Sequence, residues 1–188
     1  MYKNEVVSFD DEKLILVDKN DNVIGYENKD VCHQGQGILH RAFSIFIFND
    51  KKELLLQKRS AQKSLWGEYW SNTCCSHPRK GESYEQATVR RLKEELGLET
   101  KMKFLYKFQY QARFEDKGSE NELCSVYIGK SDALPVINEN EIAEWKYISM
   151  DDLDKDLQRN PKQYTPWFKM EWKRLRTEFY REIENLFK

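Results

Sequence analysis

No sign of charge dominates this chain. Its 31 Lys and Arg residues face 32 Asp and Glu, leaving a formal net charge of −1 although 34% of the 188 positions are charged. Such a balance creates no field to draw the protein to nucleic acid or to an anionic membrane, so neither is expected as a partner. Any anion it binds must be held by a local group of basic side chains. Long apolar runs are missing too. The longest, Ala42 to Phe48, is interrupted by Ser44 and falls far short of the ~20 residues a helix needs to cross a bilayer. The opening MYKNEVVSFDDEK has neither an apolar h-region nor an Arg/Ser-rich amphipathic pattern. No signal or transit peptide is expected, and the expected location is the cytoplasm. Cys32, Cys74, Cys75 and Cys124 are then read as reduced thiols rather than disulfides. There are no internal repeats and no low-complexity linkers, and the length suits one domain, 1–188.

What is present reads as alternating short strands with two helices. Lys13 to Val17 has strand character, and the turn chemistry of Asp18 to Val23 lets Ile24 to Tyr26 pair back as a hairpin. Ala42 to Phe48 reads as a buried strand, Asn49 to Lys52 as a turn and Glu53 to Lys58 as the returning strand. Residues 59–81 have no period and are expected to form a long loop, a kind of segment that is often functional in a compact domain. From Ser83 the pattern turns helical, with Val89, Leu92 and Leu96 as the core stripe and Gly97 as the stop. Strands are expected near 102–112 and 122–129, and over Ala143 to Ile148 with Trp145 and Tyr147 on one face. One long amphipathic helix is expected over about 166–187, carrying Trp167, Trp172, Leu175, Phe179, Ile183 and Leu186. One central and one terminal helix among strands predict an α/β (α+β) mixed-sheet sandwich with flanking helices.

Histidine is scarce, and the three present, His33, His40 and His77, accompany Glu120-Asn121-Glu122. Two residues apart on a strand, Glu120 and Glu122 point to one face. Two carboxylates held together are costly unless a cation or proton lies between them. Three imidazoles and two carboxylates would suit Mn²⁺, Zn²⁺ or Fe²⁺. The plainer alternative is an exposed acidic strand edge. Residues 76–98, SHPRKGESYEQATVRRLKEELGL, follow the Nudix pattern G-x5-E-x7-R-E-U-x-E-E-x-G-U at Glu82, Arg90, Leu92, Glu94, Glu95, Gly97 and Leu98, and depart from it at Ser76 and Arg91. A loop and helix of this kind present carboxylates one turn apart to a divalent ion that grips a diphosphate. Arg91, standing where hydrolases have a metal-holding Glu, favours gripping a diphosphate over activating a hydroxide. An ordinary charged helix, with Arg91 and Glu95 as a solvated pair, is the competing reading.

The segment Asn72-Thr73-Cys74-Cys75-Ser76-His77-Pro78, after Trp66-Gly67-Glu68-Tyr69-Trp70, resembles the region around the catalytic cysteine of type I isopentenyl-diphosphate delta-isomerases, which carry a degenerate Nudix box. The resemblance extends to His33 and His40, to Arg59-Ser60 with Lys63, to Glu120-Asn121-Glu122-Leu123-Cys124 and to Pro166-Trp167, so it runs from about residue 10 to 175. It implies a Nudix fold and an allylic shift of a double bond in a small isoprenoid diphosphate. It places Cys75 and Glu122 on opposite sides of the substrate, Tyr110 beside Glu122, and the Trp167 face against a carbocation. Lys29, Arg59, Lys63 and Arg91 would bind the diphosphate. His33, His40, His77, Glu120 and Glu122 would hold Mn²⁺, Zn²⁺ or Mg²⁺, while Mg²⁺ travelling with the substrate would take Glu95 and the Cys75 carbonyl. The pattern C-x-H-P selects Cys75 over Cys74. The rival reading is a Nudix hydrolase of a nucleoside diphosphate derivative. The chain is expected as a monomer or homodimer.

Overall fold

The computed structural model describes residues 4–188. Its organising strand is β3 (His40–Phe48), flanked on one side by the hairpin β1 (Lys13–Val17) and β2 (Val23–Asn28). The hairpin turn is held by Asp18, whose Oδ1 accepts the amides of Asn20 at 2.8 Å and Asn22 at 3.0 Å. β4 (Glu53–Arg59) returns beside β3 and carries β5 (Trp70–Ser71) and β9 (Ile142–Ser149). β6 (Cys74–Ser76) pairs antiparallel with β3, and the long hairpin β7 (Met102–Phe114) and β8 (Gly118–Lys130) joins through β8, which runs parallel to β3. Nine strands among the described residues thus make one mixed sheet.

Period-two alternation divides the core. Phe43, Ile45 and Ile47 of β3 pack on one face against Leu92 and Leu96 of α2 (Tyr84–Leu96). Ala42, Phe46 and Phe48 face the other way, toward α3 (Met150–Arg159) and α4 (Pro166–Thr177), meeting Leu153, Trp167, Phe168 and Trp172. α2 begins in a capping box, Ser83 and Gln86 each satisfying the other's backbone amide, and ends at Gly97 in the left-handed conformation (φ 65°). Among the described residues no helix is long and apolar enough to cross a membrane.

Several expected elements differ. The loop over 59–81 contains β5 and β6, two strands too short to show a period. The core stripe of α2 is not Val89, which is 48% exposed. The buried face carries Ala87, Thr88, Arg91, Leu92, Glu95 and Leu96, so it includes two charged residues that a hydrophobic count passes over. α3 follows β9 in a stretch where the sequence pattern predicts no element; its composition, MDDLDKDLQR, is mostly polar, and only Met150 and Leu153 are buried. The single terminal helix over 166–187 is two helices, α4 and α5 (Tyr180–Asn185), interrupted at Glu178 and Phe179. The break lets Phe179 stack on Tyr106 of β7 at 4.7 Å while Ile183 still reaches the core.

One buried acid in this layer has measurable consequences. Glu171 of α4 is fully buried, with Oε1 3.5 Å from the Cys124 thiol and Oε2 without a hydrogen-bond partner. Burial pushes its carboxyl up to about 8, against the pull of hydrogen bonds from Ser44 and Cys124. Tyr106, Glu122 and Cys75 also feel its charge. Unfolded, the same group releases its proton near 4.3, so between those values the native state holds more protons and stability falls as pH rises. Glu171→Gln should therefore raise the melting temperature by several degrees near pH 8.5 and change it little near pH 5. Calorimetry at the two pH values checks this, and an equal shift at both would refute it.

Candidate active site

The site lies on the α4 face of the sheet, where register brings distant residues side by side. Parallel pairing sets His40 of β3 beside Glu122 of β8, and antiparallel pairing sets Glu122 beside Tyr110 of β7. Ser44 of β3 lies opposite Cys75 of β6, so Cys75 opens to this face. The adjacent Cys74 is turned through the sheet and buried against Leu92 and Leu96. His77 follows two residues after Cys75. His33 arrives from the turn after α1 (Lys29–Cys32), where Ser119 N–H donates to its carbonyl at 2.9 Å. Gly118 makes this approach possible, since a Cβ there would sit 2.4 Å from the His33 carbonyl oxygen.

One ligand atom from each of His33, His40, His77, Glu120 and Glu122 falls within 4.8 Å of all the others. Sequence reading grouped these five, and the fold brings them together. Their hydrogen bonding fits an ion among them. Nε2 of His33 lies 2.8 Å from Oε2 of Glu120, yet neither atom has a properly aligned hydrogen bond, and Nε2 of His40 is also unpartnered. Buried polar atoms are rarely left this way without a ligand. Nδ1 of His40 meets the Ile38 carbonyl at 2.7 Å. It must donate there, which leaves the Nε2 lone pair toward the cluster. Burial lowers His40 to about 4, and burial with the neighbouring imidazoles takes His77 well below its usual range, so both are neutral, as ligands must be. Burial works against a charged His33, but Glu120 outweighs it and raises the imidazole. Burial and the Glu120 charge raise Glu122 well above an ordinary carboxylate. These residues can hold a divalent metal.

A pocket lined in part by His33, His77, Glu120 and Glu122 of this cluster also takes in Cys75, Tyr110, Trp167 and the basic residues Lys29, Arg59, Lys63 and Arg91. The Tyr110 hydroxyl donates to Glu122 Oε2 at 2.5 Å. Burial pushes the Cys75 thiol up to about 12, opposed by the Arg59 guanidinium, whose Nη1 lies 3.7 Å from the sulfur. The Arg59 fork is fixed by the carbonyls of Trp66 at 3.1 Å and Leu65 at 3.0 Å. Trp66 (φ 48°) and Glu68 (φ 68°) both adopt the left-handed region, local strain of the kind retained at functional loops. The Arg59 guanidinium carbon stands 5.3 Å from the centre of the Trp167 ring. Lys29 donates to Ser8 Oγ at 2.9 Å, and burial lowers its pKa.

Arg91 and Glu95 form an ion pair at 2.6 Å, but a buried one with each side chain 3% exposed, not a solvated surface pair. Arg91 also meets Glu94, Glu141 and the Val7 carbonyl, leaving Nε as its unpartnered donor. Glu95 is not among the residues lining this pocket. Its carboxylate accepts from Arg91 and, at 3.4 Å, from Gln57. Sequence reasoning missed Ser8, Gly118, Glu141 and Glu171. Only Gly118, in a turn before an acidic strand, gave any local hint.

The NUDIX domain family matches residues 38–168. Isopentenyl-diphosphate Delta-isomerase 1 of Photorhabdus laumondii is 45% identical over 163 residues, covering 86% of this chain and 93% of that protein. The chain belongs to the isopentenyl-diphosphate delta-isomerase family. Another relative, the isopentenyl-diphosphate Delta-isomerase of Pectobacterium atrosepticum, is 39% identical across 87% of this chain and 90% of its own length. A Deinococcus radiodurans crystal structure superposes with a TM-score of 0.66 at 25% identity, over 79% of this chain and 90% of that one. The MutT protein of Methanosarcina mazei shares the fold, with a TM-score of 0.60 at 20% identity over 74% and 94%. The Nudix fold expected from residues 76–98 is therefore the fold of the chain.

Because the Gly118 contact places His33 in the cluster, Gly118→Ala should weaken Mn²⁺ binding by about ten-fold or more while the sheet stays folded. Titration calorimetry with Mn²⁺, alongside circular dichroism, measures both, and an unchanged affinity would show that this approach is not needed.

Proposed function

We propose that the chain interconverts isopentenyl and dimethylallyl diphosphate by protonating one end of the three-carbon allylic unit and removing a proton from its other end. The observation that carries the reading is the arrangement of Cys75 and the Tyr110–Glu122 pair in one pocket that is also lined by basic side chains. Proton addition at the terminal methylene and proton loss at the methylene on the other side of the tertiary carbon require donor and acceptor groups held apart around a flat substrate. Cys75 and Glu122 are the two proposed proton carriers, and Tyr110 orients and hydrogen-bonds Glu122. The Trp167 ring, 2% exposed, offers an apolar wall whose quadrupole favours positive charge at the middle carbon and excludes water that would capture it.

Lys29, Arg59, Lys63 and Arg91 are the proposed diphosphate contacts. Arg can bind phosphate oxygens as a fork, whereas Lys acts as a point charge. His33, His40, His77, Glu120 and Glu122 would hold the resident ion, proposed as Mn²⁺, Zn²⁺ or Mg²⁺. When bound, that ion supplies Lewis-acid polarisation that orients Glu122 and tunes its basicity. Glu95 and the Cys75 carbonyl are the proposed ligands for Mg²⁺ arriving with the diphosphate. The location proposed for the chain is the cytoplasm, and the proposed assembly is a monomer or homodimer.

Hydrolysis of a nucleoside diphosphate derivative is the second reading, and Arg91 weighs against it. Arg91 stands where hydrolases have a metal-holding Glu, so the box carries a buried cation, paired with Glu94, Glu95 and Glu141, in place of one metal-ligating carboxylate. Release of monophosphate from nucleoside diphosphate derivatives would favour that reading.

NMR should show conversion of isopentenyl to dimethylallyl diphosphate, with activity lost to a chelator and restored by metal. In the same assay Cys75→Ala should cost roughly 10²–10⁴-fold in turnover with metal content intact. Cys74→Ala, on the opposite face, should cost little. Glu122→Gln should lose activity and also weaken metal binding. An inactive Cys74→Ala beside an active Cys75→Ala would shift the active cysteine by one residue, and two active variants would end the cysteine mechanism here.

A further inference from the structure

Lys63 and Arg91 enter the pocket from different parts of the fold, a loop and a helix, yet both end on a single oxygen. Glu141 Oε2 accepts from Lys63 Nζ and, at 3.0 Å, from Arg91 Nη2. Glu141 stands just before β9, is 2% exposed and is not among the residues lining the pocket. Its backbone is anchored on both sides. Its carbonyl accepts from Ser60 N–H at 2.9 Å, and its N–H donates to Asn138 O at 3.0 Å. The β4–β9 register shifts between Lys58 and Arg59, which places Arg59 opposite Ile142. One residue thus ties the segment carrying Arg59 and Lys63 to the helix carrying Arg91.

Physical need points the same way. A carboxylate buried alone is costly, so its retention requires partners. Two cations left side by side repel, and a lysine on a four-carbon stem loses much rotamer freedom when an anion must collect it. Burial opposes charge on Glu141, but Lys63 and Arg91 hold its carboxyl down to about 2.

We propose that Glu141 is a positioning residue for diphosphate binding: it presets Lys63 and Arg91 as one anion clamp without touching the substrate. This rests on the reading that Lys63 and Arg91 contact the diphosphate. Preorganisation of this kind strengthens binding in ground and transition states alike, so its loss falls on KM rather than kcat.

The test compares the wild-type holoenzyme with Glu141→Gln, Glu141→Asp, Lys63→Met and the Lys63→Met/Glu141→Gln double variant, using isopentenyl diphosphate as substrate. Metal content and melting temperature are measured for each. Glu141→Gln should raise KM about ten-fold with kcat changed less than about three-fold. Glu141→Asp, which keeps the charge but shortens the reach, should fall between it and the wild type, and serves as the readout if the Gln variant does not fold. In the Lys63→Met background the Glu141→Gln effect should shrink, because the residues act through one contact. A KM that is unchanged or lowered in Glu141→Gln, or effects that add fully in the double variant, would overturn the proposal. A wild-type KM in Lys63→Met would instead remove its premise, that Lys63 meets the diphosphate, whatever Glu141→Gln does.

Discussion

The parallel pairing of β3 with β8 sets His40 beside Glu122, and every other site residue takes its place relative to that pair. Glu120 follows on the same face by strand alternation, and Tyr110 by its antiparallel match to Glu122. Cys75 follows by its place opposite Ser44. A slip of one residue in β8 would turn Glu120, Glu122 and Cys124 to the opposite face and bring Asn121 and Leu123 inward. Register is defended by the core. Phe46 and Phe48 must meet α3 and α4, while Phe43, Ile45 and Ile47 must meet α2. Packing energy from these apolar residues therefore holds a polar constellation that would not assemble by itself.

That constellation is expensive. His40, Arg91, Glu95, Glu120, Glu122, Glu141 and Glu171 are all buried. Most are offset by a partner: Arg91 by three carboxylates, Glu120 by His33, Glu122 by Tyr110 and His77. The near-neutral net charge of the whole chain recurs on this small scale, where acids and bases are interleaved rather than segregated. Among the described residues Glu171 has no cation beside it; the Cys124 thiol meets one oxygen, and its other oxygen lacks a partner. Breaking a buried pair costs more than the pair contributes in net terms, so the network constrains substitution strongly even where it adds little stability.

Much of the site was legible because its residue types are rare or mutually costly. Three histidines in 188 residues and two glutamates two apart on a strand suggest a metal-ligating set, and the family resemblance, through C-x-H-P, selects Cys75 over Cys74. Strand alternation then explains why those adjacent thiols face opposite sides of the sheet. Less was legible where charge replaced hydrophobicity. Arg91 and Glu95 occupy the buried stripe of α2, and a pattern that counts apolar residues assigned that role to the exposed Val89. β5 and β6 were hidden by their length, and the break between α4 and α5 by an apolar period that continues through Phe179 and Ile183.

By itself, the sequence determined a set of three histidines and two glutamates able to hold a metal and the strand periods that choose their faces, while its family resemblance pointed to the thiol and the basic residues. The residue types and the faces they take are local properties, fixed by composition and by spacings of two or 3.6 residues. Tertiary structure alone decided which distant residues share an atom. Glu141 lies 50 positions from Arg91 and 78 from Lys63, and only the packing of β9 beside β4 brings its carboxylate to both. Glu171 reaches Cys124 only because α4 crosses that face of the sheet. No sequence period encodes such meetings, since they depend on how whole elements stack to bury their apolar faces.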